Sequence, residues 1–326
     1  MAKQVCTLGV DIGASAIKMV EAQVGGGGTV TAYQAIRTEL PDPVLAGEML
    51  SGLMATYKFR AKRCVTAVSG RGVIVRPVAL PDLPPAEFKQ AARAEAEKFV
   101  PYDIGEAMID CHRLSGGGEG RGRALVVVAR RQAVEDQLLP FGAANLAPAV
   151  IDIDGFALAN ALVAAGSAAP DRSVALVDLG HSKCTIAIVR GEDLFVREIY
   201  RAGAALDDAI AAFLHIASGE ATRLKMYPGE RLPEVKEAVL PTLEEIAGEL
   251  RQVFDQYTGL FKQSVSSLLF SGGVSKLPGV VELFGRMLET PAALFNPFAV
   301  CGGGAAAQAV GSEVDFAVAF GLAVRP

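Results

Sequence analysis

Residues 8–21 read LGVDIGASAIKMVE. An apolar run over residues 7–10 leads into Asp11. Gly13, Ala14, Ser15 and Ala16 turn the chain, and Ile17, Lys18 and Met19 begin a second extended run. The spacing predicts a strand, a tight turn and a returning strand. Small residues in such a turn let backbone N–H groups approach phosphate oxygens closely. The Asp11 carboxylate can hold Mg²⁺ through water, and the Lys18 ammonium can offset charge on terminal phosphates. An ordinary β-hairpin with a glycine turn reads equally well from this stretch alone.

A second copy changes that balance. Residues 174–189 read VALVDLGHSKCTIAIV, with Asp178 standing 167 positions after Asp11. An apolar strand again ends in Asp-x-Gly, here Asp178 and Gly180. His181, Ser182 and Lys183 form the turn, and an alternating strand leaves through Thr185, Ile186 and Ile188. Two such hairpins, each opening half of the chain, predict an internal duplication with a phosphate clamped between the halves. Asp11 and Asp178 are then the candidate Mg²⁺ carboxylates. The phosphate-binding candidates are Gly13, Ala14, Ser15, Ala16 and Lys18 with Gly180, His181, Ser182 and Lys183.

A third segment lies further along. Residues 268–270 (LLF) read as a buried strand, then come Ser271, Gly272, Gly273, Val274 and Ser275, and a helix over about 278–288. Glycines between strand and helix let a flat ring lie on backbone. In this order the three segments resemble the phosphate-1, phosphate-2 and adenosine segments of the actin-like ATPase superfamily, which includes actin, hexokinase and the cell-division protein FtsA. Within it, DIGASAIKMVE resembles the opening of the PilM family of type IV pilus assembly proteins. Residues 91–104 (AARAEAEKFVPYDI), 150–162 (VIDIDGFALANAL), 294–299 (LFNPFA) and 320–325 (FGLAVR) resemble that family too, so the likeness runs over nearly the whole chain.

The resemblance implies an α/β, actin-like (ribonuclease H-like) duplicated ATPase fold with an inserted FtsA-type small subdomain. The expected division is a first lobe over 1–74, the small subdomain over 75–147, a linking helix over 148–170 returning to the first lobe, and a second lobe over 171–326. It implies ATP with Mg²⁺ as ligands. Gly203 would let its helix approach the nucleotide. Glu220 and Lys225 match an E-x-x-x-x-K pattern contacting ribose or base, although a solvated charged face fits them as well. Asp152 or Asp154 would orient the attacking water; a plain helix N-cap is the simpler reading of either. The implied partner is the N-terminal cytoplasmic tail of a PilN-like inner-membrane protein, lying between the first and small lobes near Phe99 and Tyr102. Other pilus assembly-platform proteins are further expected partners, and a homo-oligomer is left open. The expected location is cytoplasmic, peripheral at the inner membrane through the partner.

Composition narrows the alternatives. At 326 residues the chain exceeds the ~250–300 at which one core usually divides. A hydrophobic content of 51% with 21% charged residues is that of a foldable globular protein. With 6% aromatics and no Trp, aliphatic side chains must fill the core. A net charge of −5 gives no basic field for nucleic acid. The opening MAKQVCTLGVDIG has no signal-peptide pattern. Residues 292–311 are apolar but broken by Asn296, Pro297 and a glycine run, so no direct membrane insertion is expected. Cys6, Cys64, Cys111, Cys184 and Cys301 are scattered and predict buried thiols in a reducing compartment. His112, His181 and His215 have no zinc-ligand spacing.

Along the chain, periodicity predicts a hairpin over 20–37 with its turn at 25–28, a helix over 44–59, strands at 64–69 and 73–80, and a helix over 86–99 behind Pro85. Strands at 107–114 and 124–129 flank the glycine-rich run 115–123, read as a hairpin tip. Helices are predicted next over 130–145, 156–165 (FALANALVAA, preceded by Asp152 and Asp154), 203–214 and from 218. Residues 233–261 predict a long amphipathic helix broken or restarted at Pro241, and residues 316–322 a last small-residue helix.

Three readings of function remain: a nucleotide-binding scaffold, an active ATPase or sugar-type kinase, and an FtsA-like polymer-forming division protein. Two positions suggest weak turnover. Cys184 stands where relatives often carry Thr, next to Thr185, and Ala14 where they often carry Ser; a thiol is a poor stand-in for a hydroxyl. No sugar-kinase signature is evident, and the chain lacks the amphipathic terminal helix usual in FtsA.

Overall fold

The computed structural model describes residues 6–26, 29–81, 83–114, 121–299, 301 and 312–325. The tip residues 27–28 and 115–120 and the glycines 302–304, read from sequence as loops, lie outside the described residues.

Strands β1 (Cys6–Ile12) and β2 (Ala16–Val24) form the opening hairpin, and β3 (Val30–Glu39) pairs antiparallel to β2. Helix α1 (Ala46–Thr56) leads to β4 (Arg63–Val68), which lies parallel to β1. The chain then leaves this sheet for β5 (Val73–Pro81), α2 (Pro85–Ala96), β6 (Ala107–Leu114) and β7 (Arg121–Arg130). These strands make a separate antiparallel sheet, order β5-β7-β6. Strand β6 alternates buried and exposed residues, as a sheet with one covered face requires. Helix α3 (Arg131–Ala143), assigned to the small lobe from sequence, also packs on α1 and buries Phe141 in the core of the first sheet. Strand β8 (Val150–Ile153) returns to pair with β4, and α4 (Asp154–Ala164) comes next with no loop between.

The second half repeats the topology. Strands β9 (Ser173–Leu179), β10 (Cys184–Arg190) and β11 (Asp193–Ile199) form an antiparallel meander. Helices α5 (Gly203–Leu214), α6 (Ser218–Met226) and α7 (Leu232–Phe261) succeed them, then β12 (Val265–Ser271), α8 (Val280–Met287), β13 (Ala292–Leu294) and α9 (Ala317–Ala323). The strand orders are β3-β2-β1-β4-β8 and β11-β10-β9-β12-β13, each with its first three strands antiparallel and the rest parallel. Strands β9 and β10 are buried nearly throughout, as strands covered on both faces must be. Helix α7 is one continuous helix, not the broken one expected. Pro241 sits inside it, and the face carrying Val239, Leu243, Ile246 and Leu250 stays buried on either side. That apolar stripe holds the helix together across the lost backbone hydrogen bond.

Helices α4 and α9 lie between the two sheets and cross each other. Small residues stand at the crossing, where each helix is pressed between the other and a sheet. A Cβ on Gly321 would stand 1.8 Å from the Ala157 carbonyl oxygen, and one on Gly9 would stand 2.1 Å from that of Ala319. Phe316 and Phe320, both fully buried, fill the space beside the crossing. Gly321→Ala therefore forces the helices apart. The thermal midpoint is expected to fall by about 5 °C or more in a melting scan, while a Gly248→Ala control, where a Cβ meets nothing within 4 Å, leaves it unchanged or higher.

Candidate functional site

The two hairpins face each other across a cavity of about 130 Å³. They are built alike. In the first, Asp11 lies opposite Lys18 in register, and the Gly13 N–H donates to the Ala16 carbonyl at 3.0 Å. In the second, Asp178 lies opposite Thr185, and the Gly180 N–H donates to the Lys183 carbonyl at 3.1 Å. Within the repeat, Lys18 therefore corresponds to Thr185, Ile17 to Cys184 and Ala16 to Lys183. Ile17 and Cys184 are both fully buried and point into the core. The concern over Cys184 is thereby removed. Its thiol donates to the Arg201 carbonyl at 3.3 Å, away from the cavity, while the hydroxyl of Thr185 lines it. Strand alternation was the signal that separates the two.

Asp11, Gly13, Ala14, Ser15 and Lys18 line the cavity from one side, and Asp178, Gly180, His181, Ser182 and Lys183 from the other. Ala16 is buried and serves the turn through its carbonyl. Asp154 lines the cavity as the first residue of α4. It is not a plain N-cap, since no side-chain cap bond forms and its carboxylate pairs with Lys183 at 2.7 Å. Asp152 does not reach the cavity. It sits on β8, pairs with Arg325 at 2.7 Å and accepts the Ile153 N–H, so it cannot orient water there. Thr185, read from the sequence only as the neighbour of Cys184, and Ser69, not singled out there, line the cavity as well.

Around this centre the other predicted residues act on backbone. The Gly203 N–H donates to the Gly180 carbonyl at 3.0 Å, and a Cβ there would meet that oxygen at 2.9 Å, so α5 starts directly on the second turn. Ser271 Oγ donates to Asp178 Oδ1 at 2.8 Å. Gly272 takes φ +84° with its Cβ position 2.5 Å from the Leu179 oxygen, a place only glycine fits. Gly273 opens the short turn after it, and Val274 is buried against Gly203. Lys225 is held inside the second lobe, donating to the Gly203 carbonyl at 2.7 Å and pairing with Asp207 at 2.7 Å. Glu220 is exposed, in the first turn of α6. Residues five apart on a helix lie about 140° round its axis.

Acid outweighs base at the centre. Burial pushes the carboxyls of Asp11 and Asp178 above the usual range; Lys18, 2.9 Å from Asp11, pulls both down, and Asp154 adds repulsion to both. Burial also works against the charged form of Lys18, but Asp11 and Asp178 outweigh it and its pKa is raised. Burial, then Lys225, lowers the His181 pKa, so its imidazole is neutral at pH 7. A divalent cation fits this excess of buried carboxylate. Among the described residues no group of three ligating side chains forms a metal site. A Mg²⁺ ion would take its remaining ligands from water and phosphate.

The family type IV pilus assembly protein PilM matches residues 9–326. The chain belongs to the PilM family. Among solved structures, the PilM–PilN type IV pilus biogenesis complex contains a chain 28% identical, with a TM-score of 0.85 over 98% of both chains. The ethanolamine utilization protein EutJ from Carboxydothermus hydrogenoformans is 15% identical, with a TM-score of 0.59 over 100% of this chain and 91% of that one. MreB5 of Spiroplasma citri bound to ADP is 12% identical, with a TM-score of 0.53 over 97% and 94%. A search of curated proteins finds no match. The fold is the α/β actin-like one that the resemblance implies.

The raised Asp178 pKa has a sign that can be tested. An unfolded aspartate releases its proton near pH 4. The folded carboxyl keeps its proton to higher pH, so its contribution to stability is present in acid and lost as pH rises through the folded pKa. Without ligand, Asp178→Asn is expected to melt higher than the parent at pH 7.5, with the gap closing towards pH 4. A gap that is constant with pH contradicts the assignment.

Proposed function

We propose that this chain holds ATP with Mg²⁺ between its two hairpins and grips the N-terminal cytoplasmic tail of a PilN-like inner-membrane protein in a type IV pilus assembly machine. The observation that carries the reading is the likeness to the PilM–PilN complex over almost all of both chains. The paired Asp-x-Gly turns supply the phosphate side of it. A protein of the same fold, MreB5, was solved with ADP. The cavity between the hairpins, about 130 Å³, is below the ~300 Å³ of an ordinary ligand pocket. Admitting a nucleotide therefore requires the halves to part, and phosphates binding both hairpins would draw them together again. Other assembly-platform proteins would meet this chain at the cytoplasmic face of the inner membrane. No helix among the described residues is long and apolar enough to cross a membrane, so attachment through the PilN-like tail suits the chain.

The tail needs a groove between the first and small lobes. Phe99 and Tyr102 are half-buried on the small lobe. Both pack on the core of the small sheet, under the guanidinium groups of Arg76 and Arg130 at 4.9 and 4.3 Å. A cavity of about 230 Å³ runs between His112 of β6 and Phe156, Ala159 and Asn160 of α4, with Leu194 at its edge. It continues into one of about 340 Å³ along Val163 and Val24. An apolar peptide segment matches that lining.

Titration of a labelled peptide, copied from the tail of the PilN-like protein of the same organism, checks this. Affinity is expected to fall about tenfold or more in Leu194→Arg, and to rise when ATP and Mg²⁺ are added to the parent. Equal affinity in parent and variant excludes the groove. No nucleotide effect excludes the coupling.

A further inference from the structure

Lys183 stands on the second turn, and its ammonium reaches Asp154 Oδ2 at 2.7 Å, Glu198 Oε1 at 2.5 Å and Thr185 Oγ1 at 3.1 Å. The three side chains of the ion triad are 14–16% exposed. Glu198 is fixed in turn, since its Oε2 accepts the Gly70 N–H at 3.0 Å and the Tyr200 hydroxyl at 3.0 Å. The Arg71 guanidinium covers the Tyr200 ring at 4.5 Å. The ammonium thus lies between two carboxylates, one from each half of the chain, and its Glu198 partner is tied at the other oxygen to the first half. Swinging off Asp154 would strand a largely buried carboxylate without its cation, which is costly.

Asp154 is the carboxylate that α4 presents to the cavity beside Asp11 and Asp178. To assist hydrolysis it would have to take a proton from water attacking a terminal phosphate. An ammonium in direct contact at Oδ2 competes with the water for the carboxylate and fixes its orientation. We propose that Lys183 makes this a holding site: by engaging Asp154 it suppresses hydrolysis of a bound nucleoside triphosphate while leaving binding to the two hairpins. The inference rests on the phosphate-site reading. With Lys183 replaced, the water oxygen bonds to the γ-phosphorus, and the bond from that phosphorus to the β,γ-bridging oxygen breaks. Its electron pair leaves on the diphosphate. The water proton passes to Asp154 and then to the released phosphate. The competing role for Lys183 is a point charge on the phosphates themselves, and it has the opposite signature, lost affinity without gained turnover.

The test compares the full chain with Lys183→Met, Lys183→Thr and the double variant Lys183→Thr/Asp154→Asn. ATP and a non-hydrolysable analogue are titrated calorimetrically with Mg²⁺, phosphate release is measured at saturating ATP, and each variant is checked by a thermal scan. Lys183→Met keeps the length of the side chain and guards against a variant that merely fails to fold. The expected result is affinity within about threefold of the parent, phosphate release faster by about tenfold or more in both single variants, and loss of that gain in the double variant. Unchanged turnover with affinity retained overturns the inference. So does a tenfold loss of affinity, or a gain that survives Asp154→Asn. If the parent itself binds neither ligand, the phosphate-site reading fails first, and this inference falls with it.

Discussion

Helices α4 and α9 cross where residue 321 has no room for even one methyl group, since a Cβ there would stand 1.8 Å from a carbonyl oxygen of the other helix. Everything at the cleft depends on that contact. Each helix is covered by a sheet, α9 by β1 and α4 by β10, so the distance between the helices sets the distance between the sheets. The sheets carry the hairpins, and the hairpins carry Asp11 and Asp178 on their inner strands. Helix α4 also begins at the cavity, with Asp154 as its first residue. A methyl group added at the crossing would move the carboxylates apart before it touched any of them. Small residues are placed here by geometry, and their cost in lost apolar area is offset by Phe316 and Phe320 beside them.

At the cavity the same close approach becomes an electrostatic problem. Three aspartates, Asp11, Asp178 and Asp154, converge against two lysines, Lys18 and Lys183. The first lysine serves the two hairpin carboxylates, and the second is committed to Asp154 and Glu198. Without a further cation the hairpin carboxylates are under-compensated; burial, with repulsion from Asp154 added, raises the pKa of both. A site in this condition favours any ligand that brings positive charge and accepts backbone N–H groups, which is what a magnesium-bound polyphosphate does. On the holding-site proposal, the second lysine limits hydrolysis after binding, because it engages Asp154, the carboxylate that α4 presents to the cavity.

Much of this could be read in the amino-acid sequence, because the fold is written twice. The Asp-x-Gly hairpins announce both the duplication and the ligand side of the cleft, and the small-residue helix ending near Gly321 announces the crossing. The features that escaped had local physical causes. Strand β8 is four residues long and runs into α4 without a loop, so Asp152 and Asp154 looked interchangeable when one faces Arg325 and the other the cavity. Cys184 drew attention as a departure, yet alternation along β10 sends it to the core and Thr185 to the cleft. Glu220 and Lys225 matched a family spacing but occupy different sides of α6. Pro241 should have ended a helix on propensity; burial along α7 overrides it.

The central claim is that the two hairpins together form one phosphate clamp. The most direct test is calorimetric titration of nucleotide-free protein with ATP and Mg²⁺, run in parallel on Asp11→Ala. The account predicts saturable binding at one site per chain that needs Mg²⁺ and is lost in the variant. Absence of binding in the parent, or binding that Asp11→Ala leaves untouched, contradicts it.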